Sequence, residues 1–201
     1  MELSLVTAAS TTPISLQEAK DHLYLTADTY NIELRRKMAE AIDYCQRRIP
    51  GGRQFCAATY DAVLDAFPDC RDDDRVTLPL PPLTKVRWIK YYDASGVLTT
   101  FGSTNGSTAS STSYTAVMSA ETPGYVVPAF GVVWPTPRDV PNAVTVRFQA
   151  GSTDNTTIPN SIKAAVKLKL EHLWEPGRVD EGQMERAIDN LLACNGYGYY
   201  G

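Results

Sequence analysis

The chain has 201 residues, 43% hydrophobic and 21% charged, with 19 Lys plus Arg against 23 Asp plus Glu and a formal net charge of −4 at pH 7. This is globular composition, enough for one sizeable core or two small ones, and the acidic balance argues against a protein whose main task is gripping phosphate backbones, though not against a surface past which DNA slides. The opening MELSLVTAAS has no basic region and no sustained apolar run, and no stretch approaches bilayer length, so the expectation is a soluble protein, intracellular when made, with no membrane partner.

In chain order, PISLQEAKDHLYL comes first. Ser15 followed three residues later by Glu18 has the capping-box pattern, Pro13 lies just upstream, and Leu16, Ala19 and Leu23 share a face, which predicts a helix from about Leu16 to Tyr24. After Asp28, Leu34, Met38, Ala41, Ile42, Cys45 and Ile49 recur at helical spacing until Pro50, Gly51 and Gly52 stop the run.

From Phe55 to about Ala150 short β-prone runs alternate with Pro, Gly, Ser and Asp, the pattern of an antiparallel β region. The clearest strands are Thr59 to Phe67, Val86 to Tyr92 and Ala143 to Gln149; in the last, Val144, Val146 and Phe148 alternate with Thr145, Arg147 and Gln149. Asp93 to Gly96 reads as a hairpin turn. GSTNGSTASSTS, from Gly102 to Ser113, is too polar for a core and reads as an exposed loop. DCRDDDR, from Asp69 to Arg75, lacks the alternation and glycine of a calcium loop and reads as a solvated turn.

Helical periodicity returns with Ile162, Ala165, Val166, Leu170 and Leu173, from Pro159 to Trp174, closed by Pro176 and Gly177. A last helix from about Asp180 carries Met184, Ala187, Ile188, Leu191 and Leu192 and ends near Asn195. Each helix has one apolar face, so the two N-terminal helices are expected to pack against the two C-terminal ones. The expected fold is therefore α+β: a discontinuous four-helix domain (residues 1–53 and 155–196), an inserted antiparallel β domain (residues 54–154) and a flexible tail (residues 197–201).

Chemistry is sparse. Cys45, Cys56, Cys70 and Cys194 form no CxxC pair and stand far from His22 and His172, which argues against zinc; buried, reduced thiols are expected. The chain lacks GxSxG, GxxxxGK[ST], HExxH and GxGxxG, so no catalytic, cofactor or metal residues are assigned. Asp61, Asp65 and Asp93 read as solvated strand-edge and turn carboxylates, and His172 as a partly exposed helix residue. Lys163 and Lys167, one turn apart, form either a solvated face or, repeated around a ring, a belt lining a channel or contacting a neighbouring subunit. Most of Trp88, Tyr91, Tyr92, Trp134 and Trp174 are expected in the core. Tyr197, Tyr199 and Tyr200 have no local core to enter and suit a tail that orders on a partner.

Several segments in order resemble the head–tail connector (adaptor) family of tailed phages, the type with a helical bundle and an inserted β domain that is also found in gene transfer agents. They are PISLQEAKDHLYL; AIDYCQRRIPGGRQF; LPLPPLTKVRWIKYYDASG, from Leu78 to Gly96; WPTP, from Trp134; AVTVRFQAG, from Ala143; and EHLWEPGR, from Glu171. Tyr24, Gln46 and Ser152 depart from the family pattern, where a basic, an acidic and an aromatic residue are expected. The resemblance implies a non-enzymatic virion protein without cofactors, located in the neck after assembly in the host cytoplasm. It implies copies of the chain in a ring, commonly twelve, beneath the portal protein, with stopper or tail-completion proteins docking below and double-stranded DNA passing close by. By the same resemblance the C-terminal segment, with Leu191, Leu192, Tyr197, Tyr199 and Tyr200, contacts the portal. Two alternatives are another neck protein, expected to be β-dominated, and a phage ligand-binding or enzymatic β-domain protein.

Overall fold

The computed structural model describes residues 1–68, 74–102, 112–178 and 180–196. The fold is α+β, and the chain divides into two compact units: Met1–Ser10 with Ala57–Gly151, and Thr11–Cys56 with Ser152–Gly201.

The second unit is helical. Helix α1 (Leu16–His22) starts at the expected capping box: the Glu18 amide donates to the Ser15 hydroxyl at 3.1 Å and the Ser15 amide donates to the Glu18 carboxylate at 2.7 Å. It stops two residues short of Tyr24, because Tyr24 adopts a left-handed backbone (φ 55°) while the Leu25 amide donates back to the Lys20 carbonyl. After a 3₁₀ turn at Asp28–Tyr30 comes α2 (Asn31–Arg48), whose Leu34, Met38, Ala41 and Cys45 are buried in one stripe. Helix α3 (Asn160–Trp174) buries Ile162, Ala165, Val166 and Leu170, and α4 (Glu181–Ala193) buries Met184, Ile188 and Leu192. Helix α2 packs against α1, α3 and α4, so the N-terminal pair does meet the C-terminal pair. Arg48 and Asp189 form two hydrogen bonds of 2.7 and 2.8 Å between α2 and α4, and the Tyr44 hydroxyl donates to Glu185 at 3.0 Å.

The first unit is built of antiparallel strands. They are β1 (Glu2–Thr7), β2 (Ala58–Leu64), β3 (Val76–Leu78), β4 (Leu83–Tyr92), β5 (Leu98–Phe101), β6 (Tyr114–Val117), β7 (Gly124–Pro128) and β8 (Val144–Ala150). One sheet has the order β1-β2-β8-β4-β5 and the other β3-β7-β6. Val144, Val146, Phe148 and Ala150 of β8 point inward, as their alternation predicts, and share a core with Val86, Ile89, Leu78, Tyr114 and Val126. Phe67 and Trp134 stack at 4.6 Å against its margin, with the Trp134 indole N–H donating to the Asp74 carbonyl. The Asp93 hairpin forms as read: its carboxylate accepts the Ser95 and Val97 amides, and Gly96 takes φ 79°.

Two sequence expectations need correction. Residues 1–10, assigned above to the helical domain, lie with the β strands, because β1 pairs along β2 from Glu2 opposite Val63 to Thr7 opposite Thr59. The alternation of Leu3 and Leu5 is too short to mark Glu2–Thr7 as a strand, and all six residues are exposed, so pairing at long sequence range holds them extended. Of the aromatics expected mostly in the core, Tyr91 and Trp134 pack against its margin, Tyr92 is exposed and Trp88 faces outward. Register shifts between Leu83 and Lys85 and between Val86 and Trp88 change the β4 side-chain alternation, so that Leu83, Val86 and Ile89 point inward at intervals of three.

Candidate functional site

Among the described residues no group of three or more His, Cys, Asp or Glu is placed to hold a metal ion, and no helix is long and apolar enough to cross a membrane. The carboxylates considered from sequence do not converge. Asp61 receives two hydrogen bonds of 2.7 Å from Arg147, Asp65 accepts the Asn142 amide at 2.8 Å, and Asp93 holds its hairpin. Cys45 and Cys56 are buried, and burial pushes the Cys45 thiol up to about 12. Cys194, expected to be buried, is exposed at the C-cap of α4. Cys70 lies outside the described residues.

The described candidate contact residues lie on the surface of the helical unit or near its end. Lys163 and Lys167 are half-buried and close enough to Glu18 of α1 to act on its charge. The Glu18 carboxyl sits below its ordinary range, first because the Ser15 backbone amide donates to it, then through the Ser15 side chain and the charges of Lys167 and Lys163. The two lysines thus share a face that the α1 cap partly neutralises.

At the end of α4, Leu191 is half-buried and its carbonyl accepts the Asn195 side-chain amide at 3.1 Å. Leu192, the other leucine of the expected contact, is 1% exposed. It faces the core of the helical unit because it continues the Met184, Ile188 stripe at intervals of four, so it supports the helix end and is not free to meet a partner. Tyr197, Tyr199 and Tyr200 lie outside the described residues.

Two further surfaces were not visible in the sequence. On the outer face of the five-stranded sheet, Trp88 lies 4.6 Å from the Arg147 guanidinium and 4.7 Å from the Lys90 ammonium. Lys85 and Arg87 precede Trp88 on the same strand, and Arg87 donates to Gln149 of β8 at 3.3 Å. At a tight turn after β7, closed by the Val132 amide on the Ala129 carbonyl, Phe130 is fully exposed and Val133 largely so. Large apolar side chains displayed on a hydrogen-bonded turn suit protein contact, because little side-chain or loop freedom is lost on docking.

No protein-family model and no curated protein sequence matches the chain. Solved structures do. The chain has a TM-score of 0.71 and 21% identity to a chain of the virion of a native gene transfer agent particle, covering 100% of this chain and 99% of that one. It has the same values against the neck of an empty gene transfer agent particle computed with C6 symmetry. Against the neck of the native particle computed with C12 symmetry the TM-score is 0.68 and the identity 20%, with the same coverage. At this identity the likeness establishes a shared fold over the whole chain.

Proposed function

We propose that the chain is a structural virion protein of a phage-like particle: a head–tail adaptor whose copies form a ring beneath the portal protein. The ring joins the capsid to stopper or tail-completion proteins of the neck and lets DNA through. The observation that carries this reading is the fold match from end to end with chains of gene transfer agent particles, two of them in neck structures computed with C6 and C12 symmetry. A ring subunit needs surfaces instead of a pocket, and the described residues offer surfaces: the Lys163 and Lys167 face, the Phe130 turn and the outer face of the large sheet.

In this reading Leu191 and the segment that follows Leu192, with Tyr197, Tyr199 and Tyr200, contact the portal while buried Leu192 supports the helix end, and Lys163 and Lys167 face the channel or a neighbouring copy. The helical content of the fold favours an adaptor over a β-dominated neck protein. The test is size-exclusion chromatography with light scattering, with and without portal protein. A ring or portal complex is expected; a chain that stays monomeric and ignores the portal overturns the reading.

A further inference from the structure

Strand β1 is attached to its sheet in an unusual way. It pairs with β2 in a continuous antiparallel register from Glu2 opposite Val63 to Leu5 opposite Tyr60, slips by one residue, and ends with Thr7 opposite Thr59. Leu3 and Leu5 fall on the inward face of the sheet, since their partners Ala62 and Tyr60 stand opposite Val146 and Phe148 of β8. Yet Leu3 is 36% exposed and Leu5 58%, whereas Ala62, Val146 and Phe148 are each 0%. The apolar packing of the β unit therefore stops at β2, and β1 is held by its backbone ladder with little side-chain burial. Such a strand opens at low cost, because few apolar contacts are lost when it leaves.

The segment that follows, Ala8–Thr12, is exposed apart from half-buried Ala9, and the chain is next anchored by buried Pro13 and Ile14. Five extended residues reach about 17 Å, sufficient to redirect the strand. When β1 leaves, the edge of β2 becomes a row of unpaired amides and carbonyls whose fitting partner is the sequence Glu2–Thr7. Every copy of the chain carries that sequence and that edge. Both halves of the interaction are thus present on each molecule, the condition for exchange of an identical element between copies.

We propose that β1 is an exchangeable arm that pairs with β2 of a second copy of this chain. The exchanged pairing keeps the register Glu2 to Val63 and Leu3 to Ala62, now between molecules. Because each copy both gives and receives an arm, the exchange closes either reciprocally in a pair or head to tail in a ring. This goes beyond the adaptor reading and does not depend on it, since any assembly of copies would serve.

The test uses the full chain with Cys70→Ser and Cys194→Ser, so that the buried Cys45 and Cys56 are the native thiols left. Chains carrying Glu2→Cys are mixed with chains carrying Val63→Cys, incubated at high concentration and oxidised. A second mixture uses Leu3→Cys with Ala62→Cys, because adjacent pairs of an antiparallel ladder alternate in geometry. Exchange predicts disulfide-linked dimers containing one chain of each kind, whose yield rises with protein concentration. A control chain carrying both Glu2→Cys and Val63→Cys reports whether the pair can bond at all. If the control closes within one chain at every concentration and neither mixture gives a mixed dimer, the arm does not exchange and the proposal falls. A portal complex seen by light scattering without any mixed dimer sinks this inference and leaves the adaptor reading standing; mixed dimers without portal binding do the reverse.

Discussion

Arg147 on β8 grips Asp61 on β2 through two hydrogen bonds of 2.7 Å while its guanidinium lies 4.6 Å from the centre of the Trp88 ring on β4. One side chain thus ties three neighbouring strands on the outer face of the sheet. The carboxylate is 15% exposed and the guanidinium 31%, so solvent screens part of the interaction. Asp61→Asn should lower the stability of the β unit by about 1 kcal/mol. Urea unfolding followed by tryptophan emission measures this, and an Asp61→Asn chain with an unchanged midpoint would show that the Arg147–Asp61 pair contributes nothing to stability.

Gly124 opens β7 where a side chain has no room. A Cβ built there would sit 2.6 Å from the Cβ of Leu83 and 2.9 Å from the Val117 carbonyl oxygen. Gly124→Ala should therefore destabilise the β unit by about 1–3 kcal/mol, the usual cost of overpacking. Thermal unfolding followed by circular dichroism reads the effect.

Tyr24 is the opposite case, a residue whose replacement should help. Its left-handed backbone strains any residue with a Cβ, and its ring is 89% exposed, so no packing is lost with it. Tyr24→Gly should raise stability by about 0.5–1 kcal/mol, the relief of strain exceeding the added freedom of the unfolded chain. A lower denaturation midpoint would instead indicate that the ring makes contacts within the fold.

The Arg48 hydrogen bonds hold the Asp189 carboxyl below its ordinary value. A carboxyl depressed by folding adds stability above its unfolded range, near 4, and that contribution is lost as pH falls through the lower folded value. Asp189 is half exposed, so the effect is small, below about 1 kcal/mol. Between neutral pH and about pH 3 the wild type should lose more stability than Asp189→Asn. At the alkaline end, burial pushes the Tyr44 hydroxyl up to about 12. Its contribution is intact below the ordinary tyrosine value near 10 and is lost as pH rises through the folded one, and the near-ultraviolet absorbance of tyrosinate follows that step.

Lys163 and Lys167 are tested by charge reversal. Lys163→Glu with Lys167→Glu removes two cations from beside Glu18, which should cost the helical unit less than about 1 kcal/mol while impairing particle assembly or DNA passage. Normal assembly and infectivity in the double variant would remove these lysines from the proposed channel or subunit contact.

The helices were legible because their signals are local. Ser15 with Glu18 fixes where α1 starts, and the spacing of Leu34, Met38, Ala41 and Cys45 marks the buried face of α2. Strand β8 was equally readable from its alternation. Strand β1 was not, because its extended form depends on β2 more than fifty residues away and leaves no apolar pattern of burial. The outward turn of Trp88 was hidden for a related reason: a bulge depends on how two strands register, and Leu83, Val86 and Ile89 spaced by three suggest no strand at all. Of the candidate contact residues, Leu192 shows the limit of helical spacing, which marks it as apolar but does not tell a core position from a docking one.

Where the chain leaves and rejoins the helical unit, Cys56 and Ser152 form a parallel bridge, and the Ser152 amide donates to the Phe55 carbonyl at 2.9 Å. The ninety-five residues Ala57–Gly151 thus depart and return at neighbouring points, as a self-closing excursion. An excursion of that kind can be lengthened, shortened or replaced during evolution while the bundle's own connectivity is preserved, so relatives are free to diversify what the β unit presents. The N-terminal strand restrains that freedom: a replacement lacking the β2 edge would leave Glu2–Thr7 without a template, tying the first residues of the chain to the ancestry of a module encoded fifty positions later.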